Sequence, residues 1–401
     1  MRISTPEFIT LMAMLVATIA LSIDALLPAL PDISEQLVPK SPNQAQLILS
    51  AFIVGMAFGT FFTGPLSDSF GRKKILYLGA SIYIICSIFC IFAVNLETIV
   101  IARFFQGVGA AAPRVVSIAL VRDFYSGREM ARISSFIMII FAIVPAIAPL
   151  LGAGVILISN WRFIFLIFII FAFFSTIWTA IRIKEPLSPE MRIPIKFQPF
   201  KEAVLEIISL KIVRLATVTL IFTGGILFTA ILLVQQVFDQ FYERSESFPL
   251  WFAIIGILAA SASFLNSMTV LRFGMRRIVN LSLYIQLAWT MGMLFLYNEG
   301  LLSEDKGFLL FVLWILGIFF QAGLTFGNLT ALAMEPLGHI AGTGASVVSA
   351  VATLGSAAIA GFAGQFFDGT PYVMIISVLC FASFGTISSY LLLGCNATSQ
   401  K

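Results

Sequence analysis

The stretch Gly64-Pro65-Leu66-Ser67-Asp68-Ser69-Phe70-Gly71-Arg72-Lys73-Lys74 carries four charged side chains in eleven residues. It lies between two apolar runs, 45–66 and 75–94, each of about 20 residues, the length of helix that crosses a hydrocarbon core. A short charged link between two such runs predicts a hairpin of membrane helices. Gly71 permits a tight turn, and Gly64 lets a helix end be approached closely. Asp68 and Arg72 stand four apart and can pair across one helical turn.

A shorter copy, Phe273-Gly274-Met275-Arg276-Arg277, follows between apolar runs at 249–270 and 278–297, with Gly274 placed 203 positions after Gly71. Extended over the chain, the pattern predicts twelve spans, near 8–30, 45–66, 75–94, 97–120, 133–155, 161–183, 214–237, 249–270, 278–297, 307–333, 341–366 and 371–394. Their connections are short except at about 184–213, where Pro186, Pro189, Pro194 and Pro199 stand among charged residues. The expected organisation is an N-terminal six-helix half at 1–190, a linker at 191–213 and a C-terminal six-helix half at 214–401. Such parallel repeats are the plan of transporters whose halves rock around a midplane site. In the linker, Phe200, Val204, Ile207 and Ile208 recur at helical spacing and predict a short helix lying on the membrane surface.

Composition points the same way. Of 401 residues, 59% are hydrophobic and 11% charged, against roughly 45–50% and about 25% in soluble domains. Mean hydropathy is +1.01. Such a chain cannot cover its surface with polar groups in water, which excludes a cytosolic enzyme, a secreted domain and a disordered regulator. The run Phe8–Leu30 is longer than a signal-peptide core and reads as a retained helix. When basic residues are sorted to alternating sides, 18 of the 24 Lys and Arg fall on the side holding both termini and 4 on the other. Both termini are therefore expected in the cytoplasm, with the chain in the inner membrane. The basic residues are scattered, so no nucleic-acid partner is expected. A single histidine, His339, leaves no multi-histidine metal site, and the four cysteines fall within or at the end of apolar runs. No Gly-Lys-Ser/Thr phosphate loop appears, so neither ATP-driven transport nor a cofactor is expected. No nucleophile–base pair suggests an enzyme.

Arg103 and Arg114 are the two basic residues inside a span, and Asp24 is alone in the first. A charge at the bilayer centre costs about 2.5–3.5 kcal/mol on insertion scales, so such residues are rare and paired or functional. Asp24 and Arg103 lie at similar depth on helices running in opposite directions. Arg103 and Arg114, eleven apart, share a face some 16 Å apart. That face is expected to line a central cavity, with Asp24 pairing with Arg103 in at least one state and releasing it on protonation. A fixed ion pair bracing two helices is the alternative. Gln106, Gln235, Gln236, Gln321 and Asn328 are candidates to face substrate or to join helices by hydrogen bonds. Glu335, in Glu335-Pro336-Leu337-Gly338-His339, ends a helix against its dipole and calls for a cation, with Arg272, Arg276 and Arg277 as candidates. Gly55 and Gly59 have a spacing that favours close helix contact.

The Gly64–Lys74 link resembles one shared by the halves of the major facilitator superfamily. That resemblance implies that Asp68, Arg72 and Asp123 form a cytoplasmic charge network shutting the inner side in the outward-facing state. In the second half Leu271 stands where the aspartate would be, so the lock is expected on one side only. Arg103-Phe104-Phe105-Gln106-Gly107 resembles the span-four motif, whose arginine takes part in proton handling. Gly107-Val108-Gly109 sits within a helix with no preceding strand and is not a nucleotide loop. In span five, Val144, Ala148, Pro149, Gly152 and Ala153 occupy the antiporter-motif positions, with Pro149 and Gly152 kept and three glycines replaced.

Further stretches complete the set: Asp24 to Leu30-Pro31-Asp32-Ile33, Val121-Arg122-Asp123, Trp161-Arg162-Phe163-Ile164-Phe165 and Glu335 to His339. From about Asp24 to Phe366 the chain resembles the Bcr/CflA (bicyclomycin and chloramphenicol resistance) drug:proton antiporters. The implied activity is proton-coupled efflux of small amphipathic compounds by alternating access, from a protein working as a monomer in the lipid bilayer. The alternative is specific uptake or export of one metabolite, for example a siderophore-like or anionic compound, which Arg114 motivates.

Overall fold

The computed structural model describes residues 3–192, 197–303 and 305–394, and the regular structure of these is helical. Two compact units divide the chain, Met1–Phe197 and Gln198–Lys401. The first holds α1 (Thr5–Asp24), α2 (Leu30–Leu37), α3 (Leu47–Phe70), α4 (Arg72–Ile91), α5 (Leu96–Phe124), α6 (Gly127–Ile158) and α7 (Arg162–Arg182). A short helix, α8 (Phe197–Ser209), begins at the boundary. The second unit continues with α9 (Lys211–Gln236), α10 (Phe248–Phe273), α11 (Met275–Asn298), α12 (Asp305–Met334), α13 (Ala341–Gly364) and α14 (Tyr372–Leu393). Apart from α2 and α8, each of these helices has at least 20 residues, six per unit, and among the described residues eleven helical stretches are long and apolar enough to cross a membrane. The remaining long helix is α6, of 32 residues.

The packing repeats. In the first unit α1 packs on α5, α6 and α7, α4 on α5 and α7, and α3 on α5. In the second, α9 packs on α12, α13 and α14, α11 on α12 and α14, and α10 on α12. Each contact of one unit has its counterpart in the other, as parallel repeats require. The hairpin glycines agree as well: Gly71 has φ of 100° and Gly274 has φ of 79°, each ending one helix and starting the next.

The link at 64–74 is more helical than its composition suggests. Helix α3 runs through to Phe70, so only Gly71 leaves the helical conformation. Gly64 therefore lies inside α3 and not at a helix end, and its carbonyl accepts the Ser67 hydroxyl at 3.0 Å. Glycine matters more where α3 meets α5. A Cβ on Gly55 would overlap the Phe104 carbonyl, and one on Gly107 would overlap that of Phe52. The two backbones touch there, an approach that small residues allow between membrane helices. Elsewhere in the first unit Phe8, Leu11 and Leu15 of α1 pack with Leu76, Val116, Leu120 and Ile137 into a buried core. The side chains of Phe200 and His339 lie outside the described residues.

Candidate functional site

Asp24 is the last residue of α1, and the chain itself explains why the helix stops there. Pro28 has no N–H to give to the carbonyl four residues back, and Pro31 repeats the defect one turn on. The last carbonyls of α1 therefore need other partners. Arg103 of α5 supplies one: its Nη2 donates to the Ser22 carbonyl at 3.0 Å. Its Nε donates to the Ile48 carbonyl at 3.1 Å and its Nη1 to Gln106 Oε1 at 2.6 Å. Gln106 in turn donates to the Ser87 hydroxyl at 2.6 Å. The guanidinium carbon lies 4.3 Å from the Phe52 ring centre. A positive charge at a helix C-terminus opposes its dipole favourably, by about 0.3–1 kcal/mol when exposed and up to about 2 when partly buried. Arg103 is thus a clamp on α1, α3 and its own helix.

Asp24 is 5% exposed and makes no hydrogen bond or ion pair among the described residues. The expected pair with Arg103 is not formed in this structure, because that guanidinium is spent on two carbonyls and Gln106. Nor does Arg103 face open space, since its exposure is 0%. Gln106 is correspondingly a brace inside this network and not a lining residue. Beside Asp24, Gly152 of α6 meets Ala25, where a Cβ would overlap the main-chain carbonyl. Pro149, one turn earlier, is buried. Arg114 is partly buried, and its side chain has no partner among the described residues.

A second cluster gathers at the α3–α4 link. Arg72 is 4% exposed and donates Nε to Asp123 at 2.8 Å and Nη1 to the Ser67 hydroxyl at 2.8 Å, and it pairs with Asp68. Sequence reading missed the next shell. The Glu185 carboxylate, just past α7, accepts the main-chain N–H of Arg72 at 3.1 Å and of Lys73 at 2.9 Å. Lys73 answers by donating to the Ala180 and Ile183 carbonyls at 2.8 and 2.7 Å. The start of α4 and the end of α7 cap one another, each with the charge its dipole favours. Glu7 of α1 completes the cluster, accepting from Arg182 at 2.5 and 2.6 Å and from Trp178 at 3.1 Å. The one signal in the sequence was a charged residue just beyond a span, which names no partner.

In the second unit Met275 and Leu271 stand where Arg72 and Asp68 stand in the first, and Leu271 is 94% exposed. No matching ion pair forms among the described residues there. Glu335 is exposed and has no ion pair among the described residues, so the contact expected with Arg272, Arg276 or Arg277 is absent. Exposure removes the need for it, because water can solvate the carboxylate. Asn328 donates to Asn266 at 2.7 Å and joins α12 to α10. Gln235 and Gln236 are buried at the end of α9, where it passes into a π-helical turn at Val237–Phe241. Gln321 is buried in α12, facing a cavity between α10, α11 and α12.

A sequence profile of the Major Facilitator Superfamily matches residues 11–360. The chain is 30% identical over 344 residues to the uncharacterized MFS-type transporter YdgK of Bacillus subtilis (strain 168), covering 84% of this chain and 83% of that one. It is 29% identical over 354 residues to the bicyclomycin resistance protein homolog of Haemophilus influenzae, covering 87% and 86%. Among solved structures, a bacterial homologue of the human lysosomal transporter Spinster superposes with a TM-score of 0.74 over 99% of each chain, at 16% identity. That last likeness concerns the fold alone.

Proposed function

The chain belongs to the major facilitator superfamily of multi-pass membrane transporters for small molecules, and on that premise we propose proton-coupled efflux of small amphipathic compounds by alternating access. The observation that carries this reading is Asp24, a buried carboxylate without a described partner at the broken end of α1. An antiporter needs one group that holds either a proton or a charge as the cargo comes and goes. Ionised, Asp24 adds its charge to the negative end of the α1 dipole, and Arg103 offsets both through Ser22. Protonated, it leaves Arg103 facing the dipole alone. The end of α1, with α6 held on it at Gly152, is the element this switch would move. The Arg72–Asp68–Asp123 cluster acts as a gate on the side of the basic loops. Similarity to a bicyclomycin resistance protein homolog supports a drug as cargo.

The remaining assignments belong to the same reading: inner membrane, both termini cytoplasmic, action as a monomer. The decisive assay uses full-length protein in liposomes carrying a luminal pH dye, with bicyclomycin added against an imposed pH gradient. Drug-dependent proton movement is expected, and its absence for wild-type protein with bicyclomycin and chloramphenicol alike removes the reading.

A second reading is favoured by Arg114, a partly buried cation without a described partner: carriage of one anionic metabolite. Flux measured in inverted against right-side-out vesicles separates specific uptake from efflux.

A further inference from the structure

We propose that the second unit carries a binding groove of its own, open to the bilayer between α10, α11 and α12, for amphipathic compounds that combine an apolar body, an acidic group and a hydrogen-bond donor. The proposal rests on the transport reading and deepens it by naming the class of cargo and a route of entry from the membrane. The cavity measures about 670 Å³, within the roughly 300–1,000 Å³ of sites that enclose small molecules. Its rim is apolar and uncovered: Leu281 is 61% exposed and Ile285 55%. In a chain that spans a membrane, such side chains face lipid, so the groove opens where amphipathic compounds concentrate.

The floor is shaped for a flat apolar body. Trp289 lies against Gly317, where a Cβ would stand 2.9 Å from the indole ring. Only the bare glycine lets the ring approach α12 this closely. Two polar groups set the rest of the recognition. Arg277 lines the groove at the start of α11 and has no ion pair among the described residues, with Arg272 and Arg276 beside it in sequence. Its charge complements an acid. Trp289 is twelve positions farther along the helix, about 18 Å away.

Gln321 is the second group. It is 3% exposed and lines the cavity; its Nε2 donates to Thr325 at 3.2 Å, while its Oε1 has no partner among the described residues. A buried acceptor without a donor is destabilising, so this site asks for an N–H or O–H from whatever enters. Phospholipid chains offer none. A lipid fills the apolar part but leaves Gln321 unanswered, so the occupant is a compound and not a resident lipid.

The probe is 1-anilinonaphthalene-8-sulfonate, which has fused rings, a sulfonate and an anilino N–H. Its equilibrium binding is measured on the full chain in phosphatidylcholine nanodiscs, with empty nanodiscs subtracted and no gradient applied. Gly317→Leu, which pushes into the Trp289 ring, is expected to weaken binding at least tenfold. Arg277→Gln is expected to weaken it about tenfold and reduce its salt dependence, and Gln321→Leu about fivefold. The last two variants leave the α11–α12 contact intact and serve if Gly317→Leu does not fold. Equal affinity of wild type, Arg277→Gln and Gln321→Leu overturns the proposal. So does stoichiometric phosphatidylglycerol that copurifies with wild type and is lost from Gly317→Leu, since the groove is then a lipid site. Binding is read without flux, so intact binding with no gradient-driven transport would sink the efflux reading while leaving the groove in place.

Discussion

Gly152 of α6 lies directly against the carbonyl of Ala25, the residue that follows Asp24. A methyl group at 152 has nowhere to go, and overpacking of this kind costs about 1–3 kcal/mol. Gly152→Ala is expected to lower thermal stability and to cut gradient-driven transport at least tenfold. Gly154 has nothing within 4 Å of where its Cβ would be, so Gly154→Ala is the matched control. Equal transport by the two variants would show that the α1–α6 contact is not part of the cycle.

Asp24→Asn keeps the shape of the side chain and removes its titration. Flux driven by an imposed pH gradient should vanish, while downhill exchange of cargo persists. Full gradient-driven activity in the asparagine variant would move proton coupling to another group.

Arg103 binds three acceptors drawn from α1, α3 and α5. Removing a buried group of this kind strands its partners, and Arg103→Ala should destabilise the protein by about 2–4 kcal/mol, read as a lower Tm in detergent. Arg103→Lys keeps the charge but loses the fork that reaches several acceptors, so it should fall between alanine and wild type. An alanine variant that melts with wild type would refute the clamp.

Arg72 and its two carboxylate partners form one cluster, so their deletions should not add. The double variant Arg72→Ala/Asp123→Ala is expected to differ from the sum of the single ones by about 0.5–3 kcal/mol. Glu185→Gln loses the charge that caps the start of α4, at a cost of about 0.3–2 kcal/mol. Strict additivity of the first pair in denaturation would mean the contact contributes nothing measurable.

Some of this architecture is legible in the amino-acid sequence. Gly71 and Gly274 marked two hairpins 203 positions apart, and both hold the expected turn with positive φ. Asp68 and Arg72, one helical turn apart, do pair. Other residues read differently in three dimensions. Gly64 looked like the end of a helix and lies inside one, because α3 continues to Phe70. Gln106, a candidate either to face substrate or to join helices, is bound to Arg103. Glu185 drew no attention and caps α4 from more than 110 residues away.

The division has a physical cause. Hydrocarbon thickness and the placement of basic loops act on quantities that run along the chain, so the amino-acid sequence by itself determined twelve spans, their pairing into two repeats and the charges worth noticing. Which side chains meet depends on how helices rotate and how closely they approach, and that is decided by contacts such as Gly55 on Phe104 and Gly152 on Ala25. Only the tertiary structure could show that Arg103 holds the end of α1 by the Ser22 carbonyl and leaves Asp24 without a partner among the described residues.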